Sequence, residues 1–442
     1  MSASLFDSAL HREMFGDAEV ARLLSDSARI RAMMLVLGTL AKVQGQAGVI
    51  PEVSGAFLHR AAMEVQIDPG GLAGSVGANG VSVPGLVAAF RKALDAPEHG
   101  QYLHWGATSQ DIQDTGQALR MRQIVALIEA RLRAALGALA DLAEAHAELP
   151  QAARTYGQVA VPSSFGAQVA SWGWPLLRLL ERSEAVRAHS LAISLSGAAG
   201  TASQIGADPA AIRAGLAEAL DLPDPGQSWH AQRDWIVELG QWFAAVTTAM
   251  GKIGEDLSRL TRSEIGEVRL GGSGASSTMP QKQNPVGPSI LLALARFAPA
   301  QVAALSVPHG EARDGAAWFT EWLTLPPLAA AAARASALGG ALAAGLEPRP
   351  EAMARHLDDP LGLIHAEALS FALAAAMPRP EAQDAIKRLA IAARETGRPL
   401  PELVADAHPK AALPDLTPPA SLGQAPTEAR NFAQAARTMM KD

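Results

Sequence analysis

The 442-residue chain contains no cysteine. Disulfide bonds, thiolate catalysis and zinc–thiolate sites are therefore excluded. Lysine and arginine are scattered without a dense run and the net charge is −7, which disfavours a nucleic-acid or membrane-surface role. The first residues include no uninterrupted apolar segment, so no signal peptide is predicted. Together these absences predict a soluble cytoplasmic protein.

Several catalytic motifs are also missing. Glutamine precedes and follows Lys282, so the segment around it is not a nucleotide P-loop. No Gly-x-Ser-x-Gly elbow occurs, which disfavours a Ser-His-Asp hydrolase. No His-x-x-x-His pair or dense acidic box occurs either, so no metal is predicted. The remaining candidate metal ligands are the sets His104, Asp111 and Asp114, and His230 with Asp234.

Long helical periodicity dominates what is present. Apolar residues recur at three- and four-residue steps and predict helices at 117–149, 165–189, 232–265, 285–307 and 316–346. Bends or breaks are predicted near Trp174–Pro175 and Pro326–Pro327. Strand patterns are few. A coiled coil or a helical solenoid is an alternative, although the lack of a fixed repeat disfavours a solenoid.

These patterns predict an all-α fold, with a long central helical bundle flanked by two smaller, mostly helical domains. The predicted domains are residues 1–105, 106–346 and 347–442. Long bundles leave broad apolar faces, so association of subunits is expected to extend the bundle. The most membrane-like stretch, 325–346, contains two prolines and an arginine and is predicted to be a packed helix pair of a soluble protein.

The polar segment 274–285 (GASSTMPQKQNP) is the most informative one. Ser276, Ser277, Lys282 and Asn284 lie within it, and its two prolines stiffen the chain around the lysine. Such a cluster of donors suits the stabilisation of a carboxylate whose neighbouring carbon becomes a carbanion. A plain surface loop is the alternative that composition leaves open.

Two further polar segments lie at the joints of the long helices. The first, 104–115, includes His104, Thr108 and Ser109 before a predicted helix, where a carboxylate can be bound. Its alternative interpretation is a helix N-cap. The second segment contains the substrate-binding candidates Arg154, Thr155, Tyr156 and Gln158. Arg154 can bind a carboxylate with two N–H groups, or it can form a surface salt bridge.

Taken together, the three segments resemble the fumarase/aspartase superfamily. Residues 275–285 match its signature Gly-Ser-Ser-x-Met-Pro-x-Lys-x-Asn-Pro except at Ala275. Residues 108–111 resemble its Thr-Ser-x-Asp region, and Thr155 with Tyr156 resembles its Thr-His pair, with tyrosine in place of histidine. The segments 229–234 and 311–322 look like the Trp-His-x-Gln-Arg-Asp and Arg…Gly…Trp…Glu-Trp segments of 3-carboxymuconate cycloisomerases.

The resemblance implies a homotetramer whose active sites are each assembled from three subunits, without an organic cofactor. It implies that Ser276 is the general acid or base and that Lys282 takes part in catalysis. The implied substrate-binding residues are His104, Thr108, Ser109, Arg154, Thr155, Tyr156, Gln158, Ser277, Asn284 and Arg313. The substrate is a small polycarboxylate.

Tyr156 favours one activity within the superfamily. Expulsion of an amine or hydroxide requires a second acid, whereas lactone formation by a substrate carboxylate can proceed with one acid/base group. The missing histidine therefore favours a cycloisomerase that lactonises 3-carboxy-cis,cis-muconate in protocatechuate catabolism. Alternatively, Tyr156 is itself the acid, or activity has been lost.

Three other functions remain open. Departures at Ala275 and Gly38, where this subgroup tends to have glycine and glutamate, allow a sulfonated muconate as substrate. A succinate-releasing lyase such as adenylosuccinate lyase is the nearest rival, but it needs a phosphate site and the sequence shows no clear basic cluster. A non-catalytic structural protein on the same scaffold is disfavoured by the retained Ser276, Lys282 and Asn284.

Overall fold

A computed structural model describes residues 4–271, 274–275, 279, 282–313, 315–417 and 420–441. In these residues the helices are α1 (Arg12–Phe15), α2 (Ala18–Leu24), α3 (Asp26–Gln46), α4 (Glu52–Glu64), α5 (Ala73–Asn79), α6 (Val83–Leu94), α7 (Pro97–Gly100), α8 (Ser109–Ala145), α9 (Phe165–Ser190), α10 (Pro209–Leu220), α11 (Asp234–Leu260), α12 (Val286–Leu305), α13 (Ala316–Ala344), α14 (Pro350–Leu357), α15 (Ala366–Ala374), α16 (Arg379–Thr396), α17 (Leu400–Ala407) and α18 (Ala425–Met439). Short 3-10 helices lie at Leu5–Asp7, Gly70–Leu72, Leu363–His365 and Ala420–Leu422. The predicted all-α fold is confirmed.

Strands are short in the part of the chain that is described. They are β1 (Pro150–Thr155), β2 (Gln158–Ser164), β3 (Val268–Leu270), β4 (Gly274–Ala275), β5 (Gln283–Asn284) and β6 (Leu346–Pro348). They form three antiparallel pairs, β1 with β2, β3 with β6 and β4 with β5. The register places Arg269 opposite Glu347 and Gly274 opposite Asn284.

The five predicted long helices are all present, with different ends. The helix α8 begins at Ser109 rather than near 117, so the polar residues 109–116 belong to its first turns. Both α9 and α13 run as single helices through their prolines, where a bend or break was predicted. In α13 the flanking Leu325 and Leu328 are fully buried, and this packing maintains the helix although Pro326 and Pro327 lack N–H donors.

The chain divides into two compact units. Unit 1 contains residues 1–132, 178–251 and 290–339, and unit 2 contains residues 133–177, 252–289 and 340–442. The unit boundaries fall inside α8, α9, α11, α12 and α13. The three-domain division with boundaries near 105 and 346 stays a prediction.

In unit 1, small residues allow long helices to pack closely. A Cβ at Gly251 of α11 would meet the Cβ of Ala295 in α12, and a Cβ at Gly339 of α13 would meet the sulfur of Met250. A separate apolar core joins α3, α4, α6, α10 and the start of α8, where Ile112 is fully buried. This core fixes the N-terminal end of α8, where the predicted polar residues lie.

The described strands and the helices α15–α17 lie in unit 2. Leu369, Leu373, Leu400 and Val404 form a small apolar core between α15 and α17. The pair β3–β6 connects the end of α11 to the start of α14, and β4–β5 brings together the two ends of the segment 274–285. The sheets of unit 2 therefore hold the second and third predicted polar segments.

Two of the described helices, α12 and α13, are long and apolar enough to cross a membrane by length and composition alone, with mean hydropathies of 1.4 and 1.2. The core helices of soluble proteins meet the same test. The apolar stretch of α13 is 56% buried and that of α12 only 33%, so α12 leaves apolar surface uncovered.

Candidate active site

A buried carboxylate lies at the start of α8. Asp111 is fully buried in the first helical turn, where the helix dipole favours a negative charge. Its oxygens accept hydrogen bonds, over 2.7–3.1 Å, from the backbone N–H groups of Thr108, Ser196 and Gly197, the hydroxyl of Ser194 and Nε2 of His230. Asp111 therefore fixes the segment that follows α9, and it orients the ring of His230.

The ring of His230 connects Asp111 to an arginine. Nδ1 of His230 lies 2.9 Å from Nη1 of Arg313. Because a guanidinium can only donate, Nδ1 must be the unprotonated acceptor, and Nε2 then donates its hydrogen to Asp111 over 2.7 Å. Arg313 also donates from Nη1 to Oε1 of Gln110 over 3.2 Å and from Nη2 to the carbonyl of Ala198. These bonds define both the tautomer of His230 and the position of Arg313.

A second buried network surrounds Arg233. Its guanidinium binds Asp114 at 2.6 and 3.1 Å and Glu321 at 2.8 and 2.6 Å. Nε2 of His309 lies 3.2 Å from Glu321. Burial raises the pKa of Asp114, although Arg233 opposes the change. Burial also acts to raise the pKa of Glu321, but hydrogen bonds from Arg233 and His309 outweigh it and leave that pKa below its ordinary value. Two carboxylates share one guanidinium, so the network needs another positive charge or a proton.

A cavity of about 230 Å³ in unit 1 joins these two networks. Polar groups on its wall come from the start of α8 and from two loops, and they are Thr108, Ser109, Gln110, His230, His309 and Arg313. Thr108, Ser109 and Arg313 were predicted, and the fold brings them to one cavity. Gln110 lies in the predicted segment 104–115 and His230 was considered as a metal ligand, but neither was predicted to bind substrate. His309 was missed, because its position in the sequence carries no sign that it meets them. The segment 229–234 was the available signal for His230.

The candidate metal ligands are engaged otherwise. Asp111 bonds to His230, and Asp114 forms its ion pair with Arg233. Among the residues that the structure describes, no group of three or more His, Asp or Glu side chains is arranged to hold a metal ion.

His104 lies beside this site but does not line the cavity. The backbone of His104 has a φ of +66°. Burial lowers the pKa of its imidazole, although a hydrogen bond with the backbone of Thr108 acts to raise it. Within the described residues, its buried Nε2 has no hydrogen-bond partner. Nearby, Gly106 packs so closely on the carbonyl of Gln204 that a Cβ would clash. The substrate-binding role of His104 stays a prediction.

The second polar segment forms the hairpin β1–β2 in unit 2. Tyr156 and Gly157 make its turn with φ values of +52° and +76°, and the side chain of Tyr156 is fully exposed. Thr155 and Gln158 pair across the base of this turn. A tyrosine in the left-handed region is uncommon, and the turn presents its ring to the outside.

Arg154 is held by a buried glutamate. Its Nη2 lies 2.5 Å from Oε1 of Glu267, which is fully buried. Gln151 donates to Oε2 of Glu267 over 2.7 Å, and Nδ1 of His356 lies 2.7 Å from Oε1. Of the two interpretations of Arg154, the salt bridge is present, but with a buried partner rather than at the surface. Its binding of a substrate carboxylate stays a prediction.

The third polar segment is described only in part. The catalytic candidate Ser276 and its neighbour Ser277 lie outside the described residues. Lys282 is exposed, and its backbone N–H donates to the carbonyl of Met279 over 2.9 Å. Asn284 lies in β5 opposite Gly274. The roles assigned to these residues stay predictions.

Three arginines line another cavity, of about 270 Å³, in unit 2. They are Arg262 just after α11, Arg269 in β3 and Arg349 just before α14. The sequence shows no clear basic cluster for a phosphate site, and no role was predicted for these arginines. The three residues come from separate segments, so only the folded chain brings their charges together.

Comparison with known proteins extends this picture. The lyase family model matches residues 52–298. A 3-carboxy-cis,cis-muconate cycloisomerase from Pseudomonas aeruginosa is 37% identical over 393 residues, which cover 87% of this chain and 86% of that protein. One from Pseudomonas putida is 34% identical over 395 residues, covering 88% and 92%. The crystal structure of 3-carboxy-cis,cis-muconate lactonizing enzyme from Pseudomonas putida superposes with a TM-score of 0.89 at 31% identity, covering 98% of this chain and all of that one.

Proposed function

This chain belongs to the lyase family, and on that premise we propose that it is a cycloisomerase that converts 3-carboxy-cis,cis-muconate to carboxymuconolactone. Two relatives named for this substrate align over most of the chain. The observation that carries the proposal is the hydrogen-bonded Arg313 in a cavity with the hydroxyls of Thr108 and Ser109. These groups are donors, as binding of a substrate carboxylate requires.

In the proposed reaction, a substrate carboxylate adds to a conjugated double bond. A C–O bond forms at one end of the diene, and the negative charge moves to a carbon next to another carboxyl group. That carbon then takes a proton, so a C–H bond forms and the lactone has the atomic composition of the substrate. Ser276 is the proposed proton donor, on the resemblance of residues 275–285 to the superfamily signature.

Arg313 is pre-positioned to bind one carboxylate of this substrate. A guanidinium has five N–H groups, and three hydrogen bonds to Gln110, His230 and Ala198 occupy three of them. Within the described residues this leaves two N–H groups for a substrate oxygen. Binding then needs little reorganisation of the side chain, which reduces the entropy cost of placing the substrate.

His309 is a further polar group of this cavity. Asp114 and Glu321 together carry one more negative charge than Arg233 neutralises. Nε2 of His309 donates a hydrogen bond to Glu321 over 3.2 Å, and the ring lines the cavity.

We also propose that the protein works as a cytoplasmic homotetramer and uses no organic cofactor. The superfamily resemblance implies this arrangement. Leu323 on α13 is 76% exposed, and most of the apolar stretch of α12 is uncovered in the single chain. Second copies of the chain are the proposed cover for these faces. Light scattering after size-exclusion chromatography measures the assembly, and a monomer at micromolar concentration contradicts the proposal.

An absorbance assay tests the activity. The purified protein is mixed with 3-carboxy-cis,cis-muconate, and loss of the diene absorbance with appearance of the lactone is expected. Parallel reactions contain a sulfonated muconate and adenylosuccinate. Faster conversion of the sulfonated compound would replace the proposed substrate, and release of fumarate would support a succinate-releasing lyase instead.

A further inference from the structure

The cavity lined by Arg262, Arg269 and Arg349, here called the three-arginine cavity, carries positive charge that the protein leaves largely unneutralised. No acidic side chain of the described residues lines it. Among the described residues, neither Arg262 nor Arg269 forms an ion pair, and Arg349 pairs only with the exposed Glu351, at 3.2 Å. Such an exposed pair contributes little. Arg262 and Arg269 are exposed and the side chain of Arg349 is 39% exposed, so water screens their repulsion, and an anion with several oxygens can bind more than one of them.

The backbone holds these arginines at defined positions. After α11 the chain turns back, and the carbonyl of Arg262 accepts a hydrogen bond from the N–H of Gly266 over 2.7 Å. Gly266 has a φ of +59°, and a Cβ there would lie 3.6 Å from the guanidinium of Arg349. The N–H of Arg349 donates to the carbonyl of Glu267 over 2.8 Å, and Arg269 lies in β3. The cavity is therefore built on ordered backbone.

Its size and remaining lining suit a small oxyanion. Ser263 adds a hydroxyl and Gln283 adds an amide, whereas the hydroxyl of Thr261 already donates to the carbonyl of Leu257 over 2.7 Å. The space of about 270 Å³ accommodates a phosphate or a small polycarboxylate. Guanidinium groups bind both kinds of oxyanion through paired hydrogen bonds. Glu347 lies opposite Arg269 in the β3–β6 ladder, but the two charged groups are not within ion-pair distance.

The cavity lies on the other face of β5 from the predicted substrate-binding amide. Gln283 lines the cavity, and Asn284 is the next residue of the same strand. Successive side chains of a strand point to opposite faces, so Asn284 is directed away from the cavity. A bound anion would thus contact the back of the strand that carries Asn284.

We propose that the three-arginine cavity binds a small oxyanion with at least two negative charges. The bound anion fixes the position of β5 and thereby changes the affinity of the protein for its substrate. The effect on substrate affinity rests on the proposed cycloisomerase function. Binding itself does not, because it needs only the charges and the cavity. The ligand chemistry is shared by phosphates and by polycarboxylates, and the experiment separates these two sources.

Calorimetry on the full-length protein tests the binding. Inorganic pyrophosphate and tricarballylate are titrated separately into the wild type and into Arg269→Gln, Arg349→Gln, Arg313→Gln and Arg388→Gln. Arg388 is an exposed arginine of α16 that forms no ion pair among the described residues and does not line the cavity, so its variant is the matched charge control. We expect at least one probe to bind the wild type, with affinity reduced roughly tenfold or more in the Arg269 and Arg349 variants. The Arg313 and Arg388 variants should keep the wild-type affinity for that probe.

The outcomes differ clearly. Loss of affinity in Arg388→Gln as large as in Arg269→Gln means a general charge effect and overturns the proposal. Loss only in Arg313→Gln places the anion in the substrate cavity and also overturns it, as does the absence of binding by both probes at millimolar concentration. The probe that binds should change KM in the wild type but not in Arg269→Gln. An equal change of KM in both proteins overturns the proposal that the anion fixes the position of β5. If no muconate is converted, the calorimetric result still stands on its own.

Discussion

Nδ1 of His230 accepts a hydrogen bond from Nη1 of Arg313 over 2.9 Å. The opposite nitrogen of the same ring donates to Asp111 over 2.7 Å. His230 therefore donates one hydrogen bond to Asp111 and accepts one from Arg313. This geometry makes His230 a positioning residue for Arg313, and the two hydrogen bonds can be removed separately by substitution.

Asparagine and glutamine at position 230 replace different halves of the ring. The amide oxygen of Asn lies near the place of Nδ1, whereas the amide nitrogen of Gln reaches the place of Nε2. His230→Asn should keep the acceptor for Arg313, with KM near the wild-type value and a lower melting temperature. His230→Gln should keep the bond to Asp111 but raise KM roughly tenfold, since a hydrogen bond to a charged donor is lost.

Steady-state kinetics and thermal melts of both variants check this separation. A KM effect of equal size in the two variants contradicts the positioning role, since a general packing defect would affect both alike. In each case kcat should change less than KM, because the chemistry is proposed to depend on Ser276 rather than on the ring of His230.

Removal of Arg233 should destabilise the fold strongly. In Arg233→Met, the buried Asp114 and Glu321 lose the guanidinium between them. Leaving buried charges without their partner costs about 3–5 kcal/mol. Urea unfolding measures this loss. Arg259→Met is the control, because Arg259 pairs with Glu255 at the surface and such pairs contribute roughly 0.5 kcal/mol or less. Equal midpoints for the two variants would show that the Arg233 network is not a structural centre.

Glu321 should make stability depend on acid pH. Its pKa in the folded protein lies below the ordinary value of 4.5, because hydrogen bonds from Arg233 and His309 outweigh burial. A depressed folded pKa contributes stability above the unfolded pKa and loses it as pH falls through the folded pKa. The difference in unfolding free energy between wild type and Glu321→Gln should therefore shrink below about pH 4.5. Glu321 itself contributes to the raised pKa of Asp114, so the change at Asp114 acts in the opposite sense and makes the expected shrinkage smaller.

Unfolding free energies of both proteins, measured in one denaturant at several pH values from 3.5 to 7, check this expectation. A carboxylate changes its charge mainly within about one pH unit of its pKa. A constant difference across that range would mean that the carboxylate of Glu321 is not stabilised by the network.

Local patterns were sufficient for the helices but not for the site. The spacing of apolar residues predicted α8, although its first turns were read as a polar segment in front of the helix because Ser109 and Asp111 interrupt the apolar pattern. Thr108, Ser109 and Arg313 were identified from motifs. His309 was not, since it lies in the loop after α12 and no spacing rule connects it with Glu321 of α13.

Paired charges show the same limit. Arg154 has no visible partner in the sequence, because Glu267 is more than a hundred residues away along the chain. The three-arginine cavity combines Arg262 and Arg269 with the distant Arg349. Contacts between residues this far apart along the chain depend on the fold, so the sequence alone shows only isolated charges.

Substitution of Tyr156 tests whether the reaction needs a second acid, as amine or hydroxide elimination does and lactonisation is predicted not to. If lactone formation needs one acid/base group, removal of the phenol hydroxyl should leave the proton transfer intact. Tyr156→Phe is therefore expected to keep kcat within about twofold of the wild type, since general acid catalysis by a residue is typically worth 10²–10⁴ in rate. Stopped-flow absorbance with 3-carboxy-cis,cis-muconate measures it. A loss of roughly a hundredfold would make Tyr156 the acid.

Substitution of the predicted acid/base serine gives the complementary result. Ser276→Ala should lower kcat by roughly 10²–10⁴, while the protein folds and assembles as before. Its neighbour Ser277, predicted to bind substrate, should affect mainly KM when changed to alanine. The same assay measures both variants, with circular dichroism and light scattering as checks of fold and assembly. A hydroxyl alone is a weak acid or base at neutral pH, so the site must activate it, and Lys282 is the nearest cationic candidate in sequence. Turnover by Ser276→Ala equal to that of the wild type would remove the serine from the mechanism and leave Tyr156 and Lys282 as the predicted candidates for the proton donor.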